Sequence, residues 1–382
     1  AKDGEIHAFL EVSDHAGEEA EQADKAFKQN GNDLPLLFGI PIALKDNILA
    51  EGSKTTAGSR ILADYRAPFD ATVVRKLKNQ GAIIIGKTNM DEFAMGSSTE
   101  NSAFGPTKNP YDCSRVPGGS SGGSSAAIAA HFSLGALGSD TGGSIRQPAS
   151  FCGIVGLKPS YGTVSRHGLI AMASSLDQIG PMAKTVTDAE ILFKAIAGKD
   201  VYDATTAPIK DNIQKKELKN LTLGIPREYF NEGIERGVHT VIQNVLKKLK
   251  DAGAILKEIS LPHSEYALPA YYIIVPSEVS TNLARFDSIR FGRRSDTAKT
   301  LFETYAQSRK EGFGDEVLRR IMLGTYALSA GYYEAYYVKA QKVRRLIRED
   351  FHHAFTNVDY ILGPTTPTPA FQFGAHKNNP LA

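Results

Sequence analysis

Cysteine is scarce in this sequence of 382 residues, where it occurs only as Cys113 and Cys152. These two positions lack the spacing of a metal site, and we interpret them as reduced thiols of a cytosolic protein. Long apolar runs are missing as well, because no segment approaches the roughly 18 apolar residues that cross a bilayer. We therefore expect a protein that has no contact with a membrane.

An excess of charge of either sign is also missing. The sequence has 44 lysine and arginine residues against 42 aspartate and glutamate residues, which gives a formal net charge of +2. A chain whose own surface holds nucleic acid usually carries a larger and clustered basic excess. We therefore expect that this chain alone does not bind RNA or DNA. Its hydrophobic content of 42% suffices for one large core or two smaller ones.

Helical and strand-like segments alternate along the chain. Asp70 is suited to cap the start of a helix that ends near Gly81, and a continuous apolar run at 82–85 follows as a strand covered on both faces. Such alternation favours an α/β fold with a largely parallel sheet. Further strand-like segments lie at 221–225, 254–259 and 358–362, and helical periodicity lies at 238–249 and 315–355.

The candidate catalytic hydroxyls lie in two glycine- and serine-rich clusters, at 118–123 and 142–144. Glycine lets backbone N–H groups approach a substrate, and a hydroxyl on such a loop is a candidate nucleophile. A lysine buried beside it is a candidate base, and Lys45 lies in an apolar segment upstream. In this hypothesis Ser144 attacks a carboxamide carbon, while Ser120 bridges Ser144 to Lys45 and carries the proton between them.

The hypothesis requires a neutral Lys45. Its free pKa of about 10.4 has to fall by roughly 2–3 units, and apolar neighbours such as Ile42 and Leu44 can supply the desolvation. A carboxylate beside the lysine would oppose this, but alternation along an extended strand sends Asp46 to the opposite side. The backbone amides of the segment before the nucleophile are expected to form the oxyanion hole, with N–H groups from Thr141, Gly142, Gly143 and Ser144.

Three other interpretations compete for these segments. Residues 81–88 match the phosphate-loop pattern, but the four middle positions are apolar and predict a strand rather than a loop. Residues 118–122 match the nucleophile elbow of a Ser-His-Asp hydrolase, yet no strand precedes Gly118. A flexible linker is the third interpretation, and the apolar continuation at 126–130 argues against it.

The chain resembles the amidase-signature family in the segments 116–124, 138–146 and 153–159 and in the strand around Lys45. The resemblance implies an α/β fold with a mixed, mainly parallel sheet covered by helices on both faces, as one domain over residues 1–382. It also implies a Ser-cisSer-Lys triad, in which Ser144 is the nucleophile, Ser120 follows a cis peptide bond and Lys45 is the base.

Within that family the segments 89–100 and 319–333 are most similar to the glutaminase subunits of tRNA-dependent amidotransferases. The resemblance implies that glutamine is hydrolysed and that the ammonia passes to a B subunit, which binds tRNA, with a C subunit bracing the pair. The product would be Gln-tRNA(Gln) or Asn-tRNA(Asn). ATP and Mg²⁺ would act on the B subunit, with no cofactor or metal in this chain, and the compartment would be the cytoplasm or an organellar matrix.

The resemblance assigns the substrate carboxylate to Arg320 and a polar contact to Tyr271. About a hundred C-terminal residues of the family pattern, with an acidic residue for the substrate ammonium, are absent, so we expect a chain that is incomplete at both ends. Two alternatives stay open. One is a stand-alone amidase for small or fatty amides, and the other is a non-catalytic scaffold that holds the B and C subunits.

Overall fold

The computed structural model describes residues 3–31, 33–208, 216–230 and 233–377. The chain forms two compact units. The first unit comprises Ala1–Ile209, Thr281–Arg319 and Ala370–Ala382, and the second comprises Lys210–Ser280 and Arg320–Pro369. That all 382 residues act as one family domain stays a prediction.

The first unit contains a mixed six-stranded sheet in the order β1-β3-β2-β4-β6-β5. Strands β2, β3, β4 and β5 run in one direction, while β1 and β6 run in the other. This arrangement confirms the predicted mixed sheet, in which most strands share a direction. The strands are β1 (Phe9–Val12), β2 (Pro41–Lys45), β3 (Ile83–Thr88), β4 (Gly135–Asp140), β5 (Val155–Gly156) and β6 (Gln178–Ala183).

The second unit contains a parallel sheet of three strands in the order β8-β7-β9. Its strands are β7 (Thr222–Pro226), β8 (Ile255–Ile259) and β9 (Tyr360–Ile361). The three predicted strand segments are therefore confirmed, since each observed strand lies within or overlaps one of them. The predicted helical stretch from residue 315 is confirmed as well, although it consists of two α-helices and a π-helix at Tyr333–Val338.

Helices of the described residues accompany both sheets. Among these residues no helix combines the length and the apolar character that crossing a bilayer requires. The helices are α1 (Asp3–Ile6), α2 (Ala16–Asn30), α3 (Thr72–Asn79), α4 (Gly122–Ala129), α5 (Arg146–Phe151), α6 (Val186–Ile196), α7 (Arg236–Asp251), α8 (Ala267–Asn282), α9 (Leu301–Gly312), α10 (Asp315–Ala327) and α11 (Lys339–Phe355).

The core of the first unit lies on both faces of its sheet, because successive side chains of a strand point to opposite faces. On one face Ile42 and Leu44 of β2 pack with apolar residues of α3 and α6. On the other face Ala43 packs with apolar residues of α4 and α5. Helix α4 contains only glycine, serine, alanine and isoleucine, and all of its residues are buried. Helices therefore cover both faces, as predicted.

The helix predicted from Asp70 starts two residues later, at Thr72, and Asp70 does not cap it. The Asp70 carboxylate instead accepts the Glu51 N–H at 2.8 Å and pairs with Lys78 Nζ at 2.8 Å. The following strand also extends beyond the predicted run at 82–85, as far as Thr88. It does so because β3, after a register shift between Ile42 and Ala43, continues to pair with β2 up to Lys45 and Thr88.

Candidate active site

Lys45 is the last residue of β2, and its side chain is completely buried. Its Nζ donates to Ser120 Oγ at 2.7 Å and to the Ser139 carbonyl at 3.2 Å. Burial lowers the pKa of Lys45 to about 7, against the attraction of carboxylates in its surroundings. A lysine in this state is partly neutral at neutral pH, and its free amine can take a proton from a hydroxyl.

Asp46 lies on the other side of the strand, as the alternation predicted. Its carboxylate forms a buried ion pair with Lys87 Nζ at 3.3 Å and accepts the Thr56 N–H at 2.9 Å and the Thr56 hydroxyl. Burial raises the pKa of Asp46 and lowers the pKa of Lys87, while their mutual attraction opposes both shifts. The negative charge next in sequence to Lys45 is thus engaged by a different lysine.

Ser120 is completely buried and follows a cis peptide bond between Gly119 and Ser120, as the family resemblance implied. Side chains of two other segments bind the backbone just before it. The Gly119 N–H donates to Gln147 Oε1 at 2.9 Å, and the Thr99 hydroxyl donates to the Gly118 carbonyl at 2.8 Å. Contacts from two other segments therefore fix the backbone that carries the Ser120 hydroxyl.

Ser144 lies in the turn between β4 and α5, and it is 9% exposed, whereas Lys45 and Ser120 have no exposed surface. The Ser144 carbonyl accepts the Ser121 N–H at 3.2 Å, so main chain joins the two serine segments. Among the described residues no hydrogen bond joins the Ser144 hydroxyl to Ser120. The Lys45–Ser120 half of the predicted relay is present, and the Ser120–Ser144 half stays a prediction.

The turn that carries Ser144 curls around the carboxylate of Asp140, at the end of β4. The Gly143 N–H donates to Asp140 Oδ1 at 2.8 Å, and the Ile145 N–H donates to Oδ2 at 3.1 Å. Here the structure differs from the predicted oxyanion hole, because the Gly143 amide is directed at Asp140, a buried acceptor that requires donors. The assignment of the Thr141 and Gly142 amides to the oxyanion hole stays a prediction.

Three buried carboxylates around this site were not predicted from the sequence. Asp140 also pairs with Arg146, and although burial acts to raise its pKa, hydrogen bonds from Arg146 hold that pKa below its ordinary value. Asp177 accepts the Thr141 hydroxyl at 2.6 Å, and burial raises its pKa to about 6. Asp91 is the third, and burial also raises its pKa to about 6. The available signal was an acidic residue inside an otherwise apolar or glycine-rich segment.

Arg320 and Tyr271 belong to the second unit and contact each other there. Arg320 is buried, its Nη1 lies 3.4 Å from the Tyr271 hydroxyl, and its guanidinium carbon lies 5.6 Å from the centre of the Tyr272 ring. The structure thus brings together the two residues that the resemblance assigned to the substrate. That they bind a substrate stays a prediction.

The competing interpretations of the motifs do not fit the geometry. Ile83–Thr88 is a strand, so the residues that would curl around a phosphate are extended. The Ser120 hydroxyl accepts from a lysine rather than from a histidine, and the residues just before it form no strand.

Within the part of the chain that the structure describes, no group of three or more His, Cys, Asp or Glu side chains is arranged to hold a metal ion.

Comparison with known proteins agrees with this geometry. The model of the family described as Amidase matches residues 1–382, the whole chain. The chain belongs to the amidase family. The family assignment accounts for the sheet, for the helices on both of its faces and for the glycine- and serine-rich segments between them.

Relatives within the amidase family cover the whole chain. The A subunit of glutamyl-tRNA(Gln) amidotransferase from Koribacter versatilis is 58% identical, over 100% of this chain and 80% of its own length. The A subunit from Carboxydothermus hydrogenoformans is 56% identical, over 100% of this chain and 80% of its own length. The crystal structure of the A subunit from Thermotoga maritima is 45% identical with a TM-score of 0.80, and the match covers 99% of this chain and 76% of that one.

Proposed function

We propose that this chain is the glutamine-hydrolysing subunit of a tRNA-dependent amidotransferase. The observation that carries the proposal is the buried Lys45 Nζ at 2.7 Å from Ser120 Oγ, because a lysine base acting on a serine can hydrolyse an amide without a histidine. The similarity to the A subunits of glutamyl-tRNA(Gln) amidotransferases supports the choice of substrate and reaction.

In the proposed reaction Ser144 Oγ attacks the side-chain carboxamide carbon of glutamine. Its proton passes to Ser120 Oγ, whose own proton passes to Lys45 Nζ. The tetrahedral oxyanion is held by main-chain N–H groups of the turn, and its collapse breaks the C–N bond. The proton on Lys45 returns through Ser120 to the leaving nitrogen, which departs as ammonia. Water then hydrolyses the acyl ester, which gives glutamate and restores the Ser144 hydroxyl.

Free ammonia has to reach an acceptor before it is protonated or lost, so the proposal includes partner subunits. A B subunit would bind Glu-tRNA(Gln) or Asp-tRNA(Asn) and activate it with ATP and Mg²⁺, and a C subunit would stabilise the pair. We place the reaction in the cytoplasm, or in the matrix of an organelle. A net charge of only +2 suits a chain that leaves the tRNA to its partner.

The test separates glutamine hydrolysis from the later step. In the complex with its partners, Ser144→Ala should lose glutamine-dependent tRNA amidation by about a thousandfold or more, yet retain amidation with added ammonium. Ser133→Ala is the matched control, because Ser133 is another buried serine and its hydroxyl donates to the Pro41 and Gly135 carbonyls. A Ser144→Ala complex that still used glutamine would contradict the nucleophile assignment.

Arg320→Ala in the same assay distinguishes glutamine from simple amides. If Arg320 binds the substrate carboxylate, the variant loses glutamine hydrolysis but keeps the hydrolysis of a small aliphatic amide, which has no carboxylate. Equal losses on both substrates would favour a stand-alone amidase.

If Ser144→Ala retained full activity with glutamine, the non-catalytic scaffold would be the better description.

A further inference from the structure

Asp91 is a completely buried carboxylate that has no role in the proposed reaction so far. It lies three residues after the end of β3. Its Oδ2 accepts the Thr99 N–H at 2.9 Å and its Oδ1 accepts the Asn101 N–H at 3.1 Å, so it organises the loop from 91 to 101. Burial raises the pKa of Asp91 to about 6, so the carboxylate is charged at neutral pH, where backbone amides rather than a direct ion pair stabilise it. Such a charge acts on its surroundings.

The loop from 91 to 101 holds the backbone that carries the Ser120 hydroxyl. The Asp91 N–H donates to the Ser120 carbonyl at 3.3 Å, and the Thr99 hydroxyl donates to the Gly118 carbonyl at 2.8 Å. A Cβ placed on Gly119 would lie 2.1 Å from Asp91 Oδ2, so the carboxylate lies directly against the residue before Ser120. Three consecutive residues, 118–120, are thus fixed by one loop.

The charge of Asp91 also acts on Lys45. Among the groups that favour a charged Lys45, Asp91 contributes most, followed by Asp140 and Asp177. Two of these groups are otherwise engaged, because Asp140 pairs with Arg146 and Asp177 accepts the Thr141 hydroxyl and two backbone amides. Behind Lys45, the charge of Asp46 is balanced by Lys87. Asp91 is therefore the main negative charge facing Lys45 that no cation neutralises through direct contact.

We propose that Asp91 is a positioning residue of the acyl-transfer site, which fixes the backbone at Ser120 and adds a buried negative charge to the surroundings of Lys45. The inference rests on the proposed function, since it assumes that Lys45 acts as the base. It assigns two effects to one side chain. The two effects are separable, because Thr99 provides a hydroxyl contact to the same backbone and carries no charge.

The experiment measures how the reactivity of Ser144 depends on pH. A fluorophosphonate probe that labels an activated serine reports this reactivity without glutamine, tRNA or ATP. Asp91→Asn removes the negative charge and so destabilises protonated Lys45. The acid limb of the labelling rate should therefore move to lower pH, by about one unit. Asp200→Asn is the matched control, a buried carboxylate that accepts the Thr72 and Ser165 hydroxyls and does not act on Lys45.

Thr99→Val separates positioning from charge. It removes the hydroxyl contact to Gly118 but keeps the Thr99 N–H for Asp91. The labelling plateau should fall, by up to about tenfold for one lost hydrogen bond, while the acid limb stays at its pH. If the acid limb of the labelling rate in Asp91→Asn lies at the same pH as in the unmodified protein, the proposed effect of the Asp91 charge on Lys45 is overturned. A Thr99→Val plateau equal to that of the unmodified protein would overturn the role of this loop in fixing residues 118–120.

A reciprocal measurement covers the case in which Asp91→Asn does not fold. Removing the cation with Lys45→Met should raise the pKa of the Asp91 carboxyl, observed by ¹³C NMR of labelled aspartate, because the coupling between two sites is mutual. An unchanged Asp91 titration would overturn the inference. An unmodified protein that reacts with no probe at Ser144 would instead contradict the proposed function, so the two failures are distinguishable.

Discussion

Two buried lysines at the ends of neighbouring strands, Lys45 on β2 and Lys87 on β3, have different surroundings. Both side chains are at most 1% exposed, and burial lowers the pKa of each. Lys87 Nζ lies 3.3 Å from the Asp46 carboxylate and also donates to the Lys54 carbonyl and the Thr55 hydroxyl. Lys45 Nζ bonds instead to a serine hydroxyl and a carbonyl. The same side chain at the same depth thus contacts a counter-ion in one place and a serine hydroxyl in the other.

The comparison shows what makes a buried lysine a base. Burial alone destabilises the ammonium form, but a carboxylate in contact restores it. Lys87 therefore has the surroundings of a structural cation. Lys45 has the surroundings of an amine that releases and takes up a proton, since neither of its hydrogen-bond partners is an anion. Alternation along β2 places Asp46 on the other side and so produces both environments from two consecutive residues.

The largest expected difference between the two lysines is in reaction rate. Lys45→Met should lower the rate of amide hydrolysis by about a thousandfold or more, because Lys45 is the group that takes the proton from Ser120 in the proposed reaction. Lys87→Met, the matched control of equal size and depth, should keep the rate within about tenfold and lose stability instead. Steady-state rates of the two purified variants measure this. Equal losses in both would remove the distinction between base and structural cation.

The next largest effect concerns stability. Asp46→Asn leaves the charge of Lys87 buried without its counter-ion and should lower the free energy of unfolding by about 3–5 kcal/mol. The double variant Asp46→Leu with Lys87→Met removes both charges and should recover most of that loss. Urea unfolding of the two variants and the unmodified chain gives the values. If the double variant is no more stable than Asp46→Asn, the unpaired charge of Lys87 is not the cause of the lost stability.

The smallest effect is the pH dependence of the rate. The pKa of Lys45 is lowered to about 7, and only the neutral amine acts as a base. The rate should fall about tenfold per pH unit below that value and level off above it. The double variant Asp46→Leu with Lys87→Met should show the same limb, because it removes the Asp46 charge together with the Lys87 charge that balances it. A rate that is constant from about pH 6 to 9 would exclude a titrating lysine.

Features that depend on neighbouring residues in the sequence could be predicted. The apolar run before Thr88 predicts its strand, and the apolar segment around Lys45 predicts both the strand and the desolvation of its amine. The family resemblance added the cis peptide bond at Ser120, which spacing alone does not indicate. The helix start at Asp70 was wrong because Asp70 binds Lys78 and the Glu51 amide, and such choices between partners depend on tertiary contacts.

Features that depend on distant contacts could not be predicted. That Gly143 donates to Asp140 depends on how the turn curls once β4 is in the sheet. That Asp91 lies against Gly119 depends on a loop that returns from β3 to the start of α4, across 28 residues of sequence. The partners of Arg320 are aromatic residues 48 and 49 positions earlier in the chain. Composition and periodicity contain no information on these pairings.

The close packing at the start of α4 limits how this enzyme can diversify. A methyl group added at Gly123 would lie 2.4 Å from the Asn89 carbonyl oxygen and 2.6 Å from that of Ala8, and backbone cannot rotate away as a side chain can. Single substitutions there are therefore disfavoured unless two other segments shift with them. Substitutions that change the amide substrate therefore have to be sought at positions other than Gly123.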